Sequence, residues 1–72
     1  MNSKNIEELK EQYPVGSRVE LLSDMEDPYG QGRKAGDKAT VKFIDDIGQI
    51  HVSWDNGSSL ALVPGIDRFR KI

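Results

Sequence analysis

At 72 residues the chain has room for one domain, and a core of that size rarely supplies more than about 3–5 kcal/mol of net stability. Hydrophobic residues make up 36% and charged residues 31%, a balance outside the regime of disorder; the lack of cysteine excludes disulfides and thiolate metal sites and suits a reducing, cytoplasmic setting. A formal net charge of −2 argues against a generic grip on phosphates, and no run approaches the ~20 apolar residues of a membrane span.

The first thirteen residues, "MNSKNIEELKEQY", predict a short helix. Asn2, Ser3 and Asn5 are candidate N-caps, Glu7 and Glu8 fall in the first turn, and Ile6, Leu9 and Tyr13 share one stripe. A helix this short is marginal alone, so Ile6 and Leu9 must dock on the remainder of the domain. Pro14 ends it, and Tyr13 tethers it to the β-rich remainder of the chain.

Residues 14–72 have a different texture, short β-rich runs punctuated by Gly, Pro and Asp. In "RVELL" and "ATVKFI" the residues Arg18, Val19, Glu20, Leu21 and Ala39, Thr40, Val41, Lys42, Phe43 alternate with a period of two, as strands with one buried face do. A long loop, "SDMEDPYGQGRKAGD", separates them. "DDIG" then closes the second strand on "QIHVSW" as a tight hairpin, "VPGID" is a turn and "RFRKI" a terminal strand. About five strands with closely spaced turns predict a small antiparallel barrel in a mostly β domain. An open sheet capped by the helix is the alternative, and closure is favoured because it removes exposed edges.

Register decides the reading of "HVSWDNGSSLALVPG". Ile50, Val52 and Trp54 share one strand face; His51, Ser53 and Asp55 share the other. A two-residue Asn56-Gly57 turn would place Leu60 and Leu62 beside His51 on the polar face. A three-residue loop, Asp55-Asn56-Gly57, with Gly57 in the left-handed region, pairs Val52 with Leu60 and Ile50 with Leu62 instead. The second register is the one expected.

The blocks "YPVGSRVELL", "EDPYG", "AGDKATV", "DDIGQIHVSWDNGSSLALVPG" and "DRFRKI" together resemble a small uncharacterised bacterial family, a domain of unknown function frequent in phages and integrative elements. The likeness runs from about Tyr13 to Ile72. It implies an SH3-like barrel behind the N-terminal helix, and it carries no assigned reaction. The sequence departs from the family pattern at Ala39, where the family has Gly, and at Ile66, where it has an acidic residue.

The chemistry-bearing residues point away from an enzyme. His51, Ser53 and Asp55 have the residue types of a hydrolytic triad, but neighbours on one strand face are about 6.6 Å apart along the chain, whereas a nucleophile and its base need about 2.6–3.2 Å. With one histidine and no cysteine, zinc lacks its ligands. Asp24, Glu26 and Asp27 fail the EF-hand template, because Tyr29 stands where glycine is required. "GQGRKAG" has neither the spacing nor the following helix of a phosphate loop. No metal or cofactor is expected.

The candidate ligand-binding surface is therefore Tyr29 in the long loop with Asp24, Glu26 and Asp27, joined by an exposed edge of Trp54. Tyr29 has a competing reading as a loop anchor, and the periodicity of Trp54 groups it with the core. The expected function is a non-catalytic module, monomeric, binding a protein or peptide. The alternative is a nucleic-acid-binding accessory of a phage or mobile element, using Arg33, Lys34, Lys38, Arg68, Arg70 and Lys71.

Overall fold

The computed structural model describes residues 3–25, 33–58 and 60–72. Helix α1 (Ser3–Gln12) is followed by β1 (Arg18–Leu21), β2 (Lys38–Ile44), β3 (Ile50–Trp54) and β4 (Phe69–Lys71). The helix buries Ile6 and Leu9, the stripe its spacing predicts, and packs on β2. Because it starts at Ser3, no acidic residue lies in its first turn. Glu7 and Glu8 sit one turn further in, Asn5 is within the helix, and the candidate cap Asn2 is outside the described residues.

The strands form one antiparallel sheet in the order β3-β2-β1-β4. One face carries Val19, Leu21, Ala39, Val41, Val52 and Trp54 into a core completed by Ile44, Ile50, Leu62 and the two helix residues. The other face carries charge. Arg18 forks onto Asp55 through two bonds of 2.6 and 2.7 Å and adds a third to Thr40 Oγ1 at 3.0 Å. Glu20 receives Arg70 at 2.6 Å and Lys38 at 3.8 Å. The Arg18 guanidinium holds the Asp55 carboxyl below its ordinary range.

The predicted closure into a five-stranded barrel is not formed among the described residues: the sheet is four-stranded and open. The chain after Trp54 does run beside β3, with the expected three-residue loop. Gly57 N–H bonds Trp54 O, Trp54 N–H bonds Ser58 O, and Gly57 takes a φ of +97°, a conformation glycine adopts without steric cost. Ile50 and Leu62 then exchange a pair of 2.8 Å hydrogen bonds, the expected register. Between these anchor points the anticipated Val52–Leu60 pair is missing among the described residues, and the Leu60 carbonyl accepts the Trp54 indole N–H at 2.8 Å. At Val63–Asp67 a tight turn redirects the chain, with Val63 N–H on the Asp67 carboxylate at 2.8 Å, and β4 joins the far edge beside β1.

A second difference lies in β2. Val41 pairs with Val52, but the next pair is Phe43 with His51, so the register shifts by one at Lys42. This bulge leaves Lys42 and Phe43 both exposed and turns Ile44 into the core opposite Ile50. Strict alternation would have buried Phe43 with Val41. No helix among the described residues is long and apolar enough to cross a membrane.

The bulge makes an asymmetric demand on two neighbours. Ile44→Ala is expected to cost about 2–5 kcal/mol in urea unfolding. Phe43→Ala, which loses only a surface ring contact, is expected to cost less than about 1.5 kcal/mol. Equal losses would place Phe43 in the core.

Candidate functional site

Among the described residues an open groove of about 360 Å³ lies where α1, the start of the long loop and the Val63–Asp67 turn meet β4. Leu9, Gln12 and Tyr13 come from the end of the helix, and Leu22 from the residue after β1. Pro64, Gly65, Asp67, Arg68 and Phe69 close the opposite side. Tyr13 and Phe69 pack with ring centroids 5.5 Å apart and planes tilted by 58°. The tether expected of Tyr13 is thus a contact with the terminal strand, and it places two aromatic rings at the groove.

Local bonding explains why these walls stand where they do. The last helical turn ends with Tyr13 N–H on Leu9 O, and the next residues turn at Gly16 to reach β2, where Gly16 N–H bonds Val41 O. Leu22 N–H bonds Arg68 O at 2.7 Å, which extends the β1–β4 ladder by one step and sets Leu22 against the groove. Leu22 is 45% exposed, a large apolar side chain with little cover. The Asp67 carboxylate is engaged with Val63 N–H, while Arg68 is exposed with no ion pair among the described residues. The groove therefore offers apolar and aromatic surface beside one available guanidinium.

The residues predicted from sequence are distributed differently. Trp54 is 2% exposed and its indole N–H is satisfied by Leu60 O, so its edge is not part of any binding rim. This corrects that expectation: the ring closes the core. Asp24 accepts Ala35 N–H at 2.8 Å and faces Lys34 Nζ at 3.8 Å, bracing the base of the long loop together with the Met25 N–H to Arg33 O bond. Glu26, Asp27 and Tyr29 lie outside the described residues. Of the six cations considered for nucleic acid, Lys34, Lys38 and Arg70 face carboxylates, on Asp24, Glu20 and Glu20 respectively.

His51, expected on the polar face of β3, has two partners there. Its ring stacks on Phe43 with centroids 4.3 Å apart and planes within 9°, and Nε2 lies 2.8 Å from Asp45 Oδ2. The other oxygen of Asp45 accepts the N–H groups of Ile47 and Gln49, so a single carboxylate organises the β2–β3 turn. These bonds, that of His51 foremost and that of Gln49 next, hold the Asp45 carboxyl below its ordinary value. Sequence reading missed the groove because its walls come from separate segments. The one local signal was Leu22, an apolar residue out of phase with the alternation of β1.

The chain matches the model of a family described as a domain of unknown function, DUF4314, over residues 2–72, and belongs to that family. No curated protein and no solved structure matches it.

The depressed Asp45 pKa has a definite sign. A carboxyl with a lowered folded-state pKa stabilises the fold above its unfolded pKa, about 3.9, and the contribution is lost as pH falls through the lower folded value. In urea unfolding, wild type should exceed Asp45→Asn in stability at neutral pH, and the gap should close as the pH is lowered below about 4. A pH-independent gap would mean that the carboxylate charge contributes nothing.

Proposed function

We propose that this member of a domain-of-unknown-function family is a non-catalytic binding module that recognises a protein segment or peptide through the groove between α1 and β4. One observation carries the reading: Leu22 and the Tyr13–Phe69 pair present apolar surface next to Arg68, an exposed cation with no ion pair among the described residues. Apolar anchoring surface with a few placed polar groups is what peptide recognition uses. The histidine, with its nitrogen on Asp45 and its ring on Phe43, is engaged in holding a turn, which supports a module without catalytic chemistry.

The fold we propose is an SH3-like barrel. Ser58 and residues 60–62 flank β3, and residues 63–68 carry the chain across to β4 beside β1. That path is how an SH3-like barrel would route its last two strands, with the long loop after β1 bordering a ligand groove. A cytoplasmic setting in a phage or integrative element rests on the family resemblance and the cysteine-free composition. Nucleic acid is the lesser reading, since carboxylates already face Lys34, Lys38 and Arg70 among the cations it would use.

Selection of a displayed library of random linear peptides on the wild-type protein provides the test. Enriched peptides should lose about tenfold or more in affinity for Leu22→Asp and for Arg68→Glu, with circular dichroism unchanged. Failure to enrich any peptide, or binding indifferent to both substitutions, would overturn the reading. A salt-sensitive mobility shift of a mixed DNA or RNA oligonucleotide by the same protein would favour the nucleic-acid alternative.

A further inference from the structure

The backbone of β4 has one edge to spare. In the β1–β4 ladder, Leu22 N–H bonds Arg68 O and Ile72 N–H bonds Arg18 O, so the pairs that exchange hydrogen bonds are those of even-numbered residues. Leu21 confirms the phase from the other side: its N–H bonds Asp37 O and its carbonyl accepts Gly36 N–H, both toward β2. Phe69 and Lys71, opposite Leu21 and Val19, therefore aim their N–H and C=O groups away from β1. In the sheet order β4 is terminal, and among the described residues no backbone group bonds this outer row.

Side-chain surroundings differ on the two sides of that edge. Phe69 reaches the groove with Tyr13, Leu22 and Pro64; by alternation Lys71 falls on the face of Phe69 and Arg70 on the other, with Glu20, and together with Arg68 they make the edge basic. Of these three cations Glu20 offsets Arg70, and neither Arg68 nor Lys71 has an ion pair among the described residues. A second copy of this chain pairing β4 on β4 would set these cations against their own counterparts, which natural edges use to prevent self-association. An extended segment bearing carboxylates meets no such penalty.

We infer that β4 is the acceptor edge for β-strand addition by an acidic, extended partner segment. The segment's backbone bonds the outward groups of Phe69 and Lys71. An apolar side chain opposite Phe69 enters the groove, carboxylates next to it in the segment meet Arg68 and Arg70, and a carboxylate two residues along, on its own face, meets Lys71. In this mode main-chain bonds supply affinity and alternate side chains supply selectivity. The inference rests on the peptide-binding reading of the groove and adds to it a binding mode and a partner chemistry.

The probe is a fluorescein-labelled peptide with blocked ends in which one leucine is flanked on both sides by glutamates, titrated at low salt by anisotropy. Lys71→Pro removes an outward N–H without touching a β1–β4 bond, a substitution an edge strand accepts. It should weaken the probe about tenfold with thermal unfolding little changed, whereas Lys71→Ala, which removes only the charge, should weaken it about threefold. N-methylation of the probe backbone, tested on wild-type protein, should cost affinity at every second residue and not at those between. No binding of the probe, or equal effects of proline and alanine, would overturn the inference. A dimer in sedimentation that Lys71→Pro dissociates would overturn it as well, by identifying a second copy as the occupant. Library peptides that depend on Leu22 and Arg68 but tolerate N-methylation throughout would overturn strand addition alone and leave the groove reading standing.

Discussion

The indole of Trp54 is the constraint on which the architecture depends. It is the largest fully buried side chain, and it carries a polar N–H into a core that holds no other polar side chain among the described residues. A buried donor without a partner costs about 1–3 kcal/mol, a large share of what a domain this small has available. Leu60 O answers it, and in doing so the chain after β3 is held down over the core and withdrawn from regular pairing with Val52. One hydrogen bond thus satisfies the ring and holds the chain down beside the Ile50–Leu62 pair that seats Leu62 in the core.

The charged face of the sheet has the same origin. With one face committed to the core, the pleat sends Arg18, Glu20, Thr40 and Ser53 outward, where Arg18–Asp55 and Arg70–Glu20 form between strands distant in sequence. Exposed pairs of this kind contribute about 0–1 kcal/mol each, so they add little net stability. Their geometry suits register: a one-residue slip of β4 on β1 would carry Arg70 to the face opposite Glu20. The Asp45 carboxylate works likewise at the β2–β3 turn, where it fixes backbone groups and a histidine ring after the bulge has displaced the strand by one residue.

Those facts also explain what could be read in the sequence. The helix stripe, the alternation of β1 and β3 and the glycine-bearing loop at Asp55–Gly57 are local patterns, and each has its expected form. The bulge at Lys42 has no such mark. Phe43 and Ile44 are adjacent apolar residues, and hydropathy is indifferent to which of them turns inward. The choice comes from β3, since Ile44 stands opposite buried Ile50. The partners of His51 were illegible for a related reason: Asp45 and Phe43 meet it only once the turn and the shifted register exist. Closure is not seen among the described residues: edge protection is a general tendency, whereas the chain from Leu60 to Arg68 carries the indole bond and the Asp67 turn and leaves the described sheet four-stranded and open.

The groove arises where two separate coverings of one core stop short of each other. Residues Ile6 and Leu9 of α1 cover it from one side, and the Leu62 segment with the Val63–Asp67 turn covers it from the other. Both are anchored to β2 and β3, in the middle and at the far edge of the sheet. Among the described residues neither is tied by backbone bonds to β4, whose strand partner is β1 alone. The gap therefore opens over Phe69, and Tyr13 meets that ring at a tilt without sealing it. Additional length in either covering would close the groove at the cost of ordering more chain in a domain with little stability to spare. Exposed apolar surface and, among the described residues, an unpaired strand edge thus coincide at one place for a single physical reason: the strand partner of β4 is β1 alone, and β4 lies at the margin of the core.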